Sequence, residues 1–222
     1  CTPARVAFLT GNYPYRYGLH EHIIESYMLN GIPGSEKTIA EKMKEANYTT
    51  SVIGKWHVGE HKASHLPHNQ GFDHSFVTVT GQMSYWNYKH HGYSGMCRNG
   101  VKIYPDSEGN NEDDGNTHAT EYFTNEAIDL LENHNADDPL FMFLSFTAPH
   151  HPLHVQKRIQ KEYQDVVVDP YWSNWQPKPW RKTVNENRRK LYMGLVHGLD
   201  ESIGRLRKKL AEKRMLKNTV IV

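Results

Sequence analysis

Cysteine is scarce here. Two cysteines in 222 residues cannot build a disulfide framework. No Cys-x-x-Cys pair and no His-Glu-x-x-His sequence occurs, which removes the common zinc signatures. Charge of one sign is lacking too: the formal net charge is +1, so no global field draws nucleic acid, and none is expected as a partner. No apolar run approaches the ~18 residues that a membrane-crossing helix needs. A methionine start and a leader are also missing, so the chain reads as an excised piece whose targeting segment is not shown.

What is present begins at residue 1. Cys1-Thr2-Pro3-Ala4-Arg5-Val6-Ala7-Phe8-Leu9-Thr10-Gly11 reads as a short helix. Thr2 is the expected N-cap, Pro3 suits the first helical position, and Gly11 suits the left-handed stop. Val6, Phe8 and Leu9 supply an apolar face. Cys1 then lies at the positive end of the helix dipole, with Arg5 one turn in.

A second helix is expected over 35–46, with Thr38 and Glu41 as a capping box and Ser35 as a rival start. Thr49 to Ile53 reads as a strand. The loop Gly54-Lys55-Trp56-His57-Val58-Gly59 follows it directly, where α/β proteins place ligand groups. Lys55 and His57 are two apart, and in an extended segment they would project to one side as an oxyanion-binding pair. Asn47-Tyr48-Thr49 is the only glycosylation sequon in the chain.

Residues 77–116 read as a long loop. Its aromatic cluster (Tyr85, Trp86, Tyr88, His90, His91, Tyr93) suits either sugar stacking over a site or packing of an irregular segment. A helix over 117–134, capped by Thr117 or Thr120, precedes the apolar run Pro139 to Phe146. That run fits a strand buried on both faces of a parallel sheet. His150 follows the strand. Residues 155–185 read as loop or short helices. A long helix over 186–214 should bury Leu195, Leu199, Ile203, Leu206 and Leu210, and Asn218 to Val222 should open another strand.

The order Cys1-x-Pro3-x-Arg5 with Leu9-Thr10-Gly11, and the stretch Tyr48-x-Thr50-x-x-Ile53-Gly54-Lys55-Trp56-His57, resemble the two signatures of the type I sulfatases. Residues Thr10 to Ile24, including Arg16 and His20, look most like the arylsulfatase B (N-acetylgalactosamine-4-sulfatase) branch. His150 matches that family's His-x-Pro-Leu segment, with His151 only a neighbour. The resemblance implies an alkaline-phosphatase-like α/β fold, with a mainly parallel sheet flanked by helices. Residues 1–222 would be the central part of an N-terminal catalytic domain.

It further implies hydrolysis of sulfate esters, with sulfated sugars and glycosaminoglycans as the substrate class. Cys1 would be oxidised to formylglycine by the formylglycine-generating enzyme and would ligate one calcium ion. The other calcium ligands would lie outside this sequence. Catalytic roles fall on Cys1, Arg5 and His57, sulfate binding on Lys55 and His150, and a glycan on Asn47. The implied compartment is the secretory pathway, lysosomal or extracellular, where Cys97 could pair outside the chain. Two other readings are a phosphate mono- or diester hydrolase of the same fold and an inactive secreted homologue.

Overall fold

The structure is a computed structural model that describes residues 1–105, 112, 115–167 and 185–222. Its main elements are α1 (Thr2–Thr10), α2 (Ile39–Glu45), β1 (Thr49–Lys55), β2 (His74–Thr78), β3 (Lys89–His90) and β4 (Tyr93–Ser94). They continue with β5 (Met96–Arg98), β6 (Val101–Lys102), α3 (Ala119–Asn133), β7 (Leu140–Ser145), α4 (Lys157–Glu162) and α5 (Asn185–Glu212). Five strands form one sheet in the order β6-β5-β2-β1-β7, and β3 and β4 pair separately. β2, β1 and β7 run parallel, and the β5–β6 hairpin adds antiparallel to β2.

Strand alternation sorts the core into two layers. Val52, Val77, Phe141 and Phe143 face α1 and α2, meeting Val6, Leu9, Ala40, Trp56 and Phe72. Ile53, Phe76, Met142 and Leu144 face α3 and α5, meeting Phe123, Ala127, Leu131, Leu195, Leu206 and Leu210. Burying both faces of a parallel sheet between helices is the layer arrangement expected from the sequence. No helix of the described residues is long and apolar enough to cross a membrane.

Local chemistry sets the boundaries, and several differ from expectation. Gly11 ends α1 in the left-handed conformation, as its sequence position predicts. Cys1, not Thr2, is the N-cap. Thr2 is fully buried, and its hydroxyl is occupied elsewhere. Phe8 is 48% exposed, because only Val6 and Leu9 face the core; its ring stacks on Phe143 at 4.8 Å. The Thr38–Glu41 capping box forms in both directions, so α2 starts at Ile39 and Ser35 is outside it. The cap of α3 is His118, whose ring accepts from the Thr120 amide; neither flanking threonine serves.

β7 is half-buried over most of its length, because among the described residues it pairs only with β1. On α5, Ile203 is 40% exposed and Leu199 half-buried, while Ser202 turns inward and donates to the Gly198 carbonyl. Two glycines, Gly194 and Gly198, let α4 and the residues just before it approach this helix closely: a Cβ at Gly194 would lie 2.7 Å from Val155 and one at Gly198 3.3 Å from Ile159. The expected strand from Asn218 is absent: Leu216–Asn218 is a 3₁₀ turn, and Val220, Ile221 and Val222 are exposed. Much of the acidic stretch 108–116 and of 155–185 lies outside the described residues.

Candidate active site

The N-terminus of α1 meets the C-terminal end of β1. β1 runs two residues further than the sequence pattern indicates, so Gly54 and Lys55 belong to the strand and not to a loop. Gly54 is required there. Its φ is +110°, and a Cβ would lie 2.0 Å from the Ser145 carbonyl oxygen on β7. Beyond the strand, His57 takes a left-handed φ of 57°, at a cost of about 1–3 kcal/mol for a non-glycine residue. The side chain is therefore aimed by a turn, not by the extended alternation expected from the sequence.

Four of the predicted groups converge. Cys1 Sγ lies 3.2 Å from His57 Nδ1. The Arg5 guanidinium donates to the Lys55 carbonyl at 2.6 Å and to Ser145 Oγ at 2.5 Å, bridging the ends of β1 and β7. Lys55 and His57 are each only 2% exposed, whereas Cys1 is exposed. His150 leaves the end of β7 half-buried, close enough that the Lys55 charge disfavours its protonation. Its Nδ1 faces the His151 carbonyl at 2.6 Å.

Hydrogen bonds fix the state of His57. Nε2 lies 2.9 Å from the Ile24 carbonyl, which can only accept, so Nε2 carries the proton and Nδ1 turns its lone pair toward residue 1. Thr2 locks this arrangement: its hydroxyl donates to the His57 carbonyl at 3.1 Å and accepts from the Ile24 amide at 3.2 Å. Thr2, Ile24 and Ser145 escape sequence reasoning. Two of these contacts use main-chain carbonyls, and Ser145 lies 140 residues from Arg5.

The electrostatics are those of a cluster of buried bases whose protonated forms are disfavoured. Burial, then the neighbouring Arg5, lowers Lys55 to about 7. Burial lowers Arg5 to about 10. His57 is lowered to about 3 by burial first and then by Lys55, despite its bond to Ile24. Burial, opposed by the His151 carbonyl and reinforced by Lys55, lowers His150. A bound anion would relieve every one of these penalties.

Two expected additions test differently against these residues. An oxygen-bearing group at position 1 fits: the side chain is accessible, it sits at a helix N-terminus, and a proton acceptor faces it. The described residues do not by themselves complete a calcium sphere. Among the described residues no group of three or more His, Cys, Asp or Glu could hold a metal ion, and the charged side chains gathered here, Arg5 and Lys55, are cationic.

Elsewhere, Asn47 is exposed in a left-handed turn at the opposite end of β1. Cys97 is a free thiol on β5, and burial raises its pKa. Tyr85, Trp86 and Tyr88 of the aromatic cluster are buried, so these three pack and do not form an open stacking surface.

Fold and site together define an α/β protein of the alkaline-phosphatase-like class, with Arg5, Lys55 and His57 gathered around residue 1 at the carboxyl end of its parallel strands. The chain belongs to the sulfatase family, whose model, described as Sulfatase, matches residues 1–222. Mouse (Mus musculus) arylsulfatase J is 28% identical over 222 residues, covering 100% of this chain and 34% of the relative. Human (Homo sapiens) N-acetylgalactosamine-6-sulfatase is 27% identical over 238 residues, covering 100% of this chain and 39% of the relative.

Among solved structures, Ps i-CgsB in complex with k-i-k-neocarrahexaose superimposes with a TM-score of 0.75 at 22% identity, over 97% of this chain and 45% of that one. The chain thus spans little more than a third of the length of these curated relatives. The similarity reaches beyond one branch, so it defines the family and not the arylsulfatase B subgroup.

Proposed function

We propose that this chain forms the nucleophile-bearing face of a sulfuric ester hydrolase acting on sulfated sugars, including glycosaminoglycans. One observation carries the reading: Arg5 and His57 close on residue 1, with Lys55 beside them, in the order the family signatures place them. Formylglycine at position 1 would supply the attacking oxygen and a carbonyl that can re-form as sulfate leaves.

This chain's own residues then have separate tasks. Arg5, fixed by Lys55 and Ser145, holds positive charge beside residue 1. Lys55 donates to sulfate oxygens, and so does His150 once a bound anion offsets the burial and the Lys55 charge that disfavour its protonation. His57 Nδ1 accepts a proton from the group at residue 1, while Nε2–H stays on the Ile24 carbonyl. No step is assigned to calcium, whose remaining ligands this chain does not provide.

Within the family, the stretch Thr10 to Ile24 supports a place near the arylsulfatase B branch, and the name of the human relative supports sulfated galactosamine as substrate. The exposed sequon at Asn47 supports maturation in the secretory pathway, with lysosomal or extracellular delivery. There the formylglycine-generating enzyme is the required partner. The test is mass spectrometry of the peptide carrying residue 1 from the full-length protein, with parallel turnover of p-nitrophenyl sulfate and p-nitrophenyl phosphate. An intact thiol, or preference for phosphate, refutes the proposal.

A further inference from the structure

His150 stands on a turn with no regular structure of its own, with cis peptide bonds at Ala148–Pro149 and His151–Pro152. Both ends of this turn are nonetheless tied to the core. Tyr85 Oη donates to the His150 carbonyl at 2.9 Å. Four residues on, the His154 carbonyl lies 2.9 Å from His118 Nε2. The two tying side chains are themselves a unit: their rings stack at 4.8 Å with an interplanar angle of 16°. Trp86 closes edge-on over His118 at 5.0 Å.

The unit is anchored. His118 Nδ1 accepts from the Thr120 amide as the N-cap of α3, so its Nε2 must carry the proton given to His154. The Ala119 amide donates to the Tyr85 carbonyl at 2.8 Å, and Tyr88 Oη donates to the Thr117 carbonyl at 2.6 Å. α3 in turn is held by Phe123, Ala127 and Leu131 in the core. A continuous rigid path therefore runs from the core, through a helix N-terminus and an aromatic stack, to the backbone of His150.

We propose that Tyr85 and His118 are positioning residues that hold the His150–His154 turn so that the His150 imidazole meets sulfate. The inference rests on the proposed sulfate-binding role of His150. Neither residue touches the anion; each fixes one end of the turn that does. A stack of two flat rings suits the task, because it resists rotation while the Tyr85 hydroxyl and His118 Nε2 each hold a carbonyl of the turn.

Two variants test this in the full-length protein. Tyr85→Phe keeps the stack and removes only the hydroxyl. His118→Asn keeps a good helix cap and withdraws the donor from His154. Calorimetric titration with inorganic sulfate at mildly acidic pH should show affinity reduced by about threefold to tenfold in each, the size of one lost hydrogen bond. Repeated across pH, the titration should still weaken through about 7, where Lys55 loses its charge, as in the wild type. A purely structural role for the pair predicts lower melting temperatures with sulfate affinity intact. If both variants bind sulfate within about twofold of wild type while His150→Ala binds weakly, the brace is refuted. If His150→Ala binds as wild type does, the role of His150 falls first, and this inference with it.

Discussion

Lys55→Met in the full-length protein is the most informative perturbation. Methionine keeps most of the side-chain volume in a position that is 2% exposed, and it removes the charge. Deleting one partner of a desolvated charge pair costs about 2–5 kcal/mol. That range corresponds to a loss of about 30-fold to 5,000-fold in kcat/KM. The sign with pH follows from burial and Arg5, which lower Lys55 to about 7. Below that value the amine is charged and holds sulfate; above it the amine is neutral and binding weakens.

Wild-type kcat/KM should therefore fall through pH 7, and the deficit of the variant should be largest in acid and shrink above neutrality. Lys55 is also the second cause of the depressed His57, so the variant should raise the His57 pKa, which NMR titration reads directly. Retention of activity within about threefold in acid, or an unchanged alkaline limb, refutes the electrostatic reasoning.

Three further outcomes are expected. His57→Gln should lower kcat by about a hundredfold to ten-thousandfold with little change in KM, measured by steady-state turnover, because it removes a proton acceptor and not a substrate contact. In the absence of anions, stability should rise with pH in two windows. One runs from about 3 to 6.5 for His57 and the other from about 7 to 10.5 for Lys55, because both bases bind protons more readily when unfolded. Melting curves across pH should show this, and added sulfate should flatten the upper window. Gly54→Ala should destabilise the protein by about 3 kcal/mol or more in denaturant titration, since its Cβ has no room against Ser145 and its φ is +110°.

The fold was legible where one physical signal dominated. The Thr38–Glu41 box and Gly11 as a stop are local features that form as written, and the apolar runs give strands β1 and β7, though β1 continues to Lys55 and β7 is only half-buried. Failures arose where tertiary contacts outvoted local preference. Thr2 is a good cap by type, yet its hydroxyl is drawn to His57 and Ile24, and His118 caps α3 because its ring also reaches His154. The α5 stripe departs from expectation at Ile203, which is exposed while the adjacent Ser202 is buried, because helical spacing alone does not say which of two adjacent positions turns inward. At the site, the cationic members were visible as residue types in a pattern. The contacts that aim them, a backbone carbonyl at residue 24 and a serine on another strand, leave no trace in a linear sequence.

The seating of α1 sets an order of events. Thr2 is wholly enclosed, and Arg5 is engaged with two strands, although Cys1 beside them is open. A maturation enzyme that grips the residues following Cys1 would find them out of reach once the helix has docked. On the proposed formylglycine chemistry, conversion of the thiol would precede docking of the helix, on a chain still loose at this point.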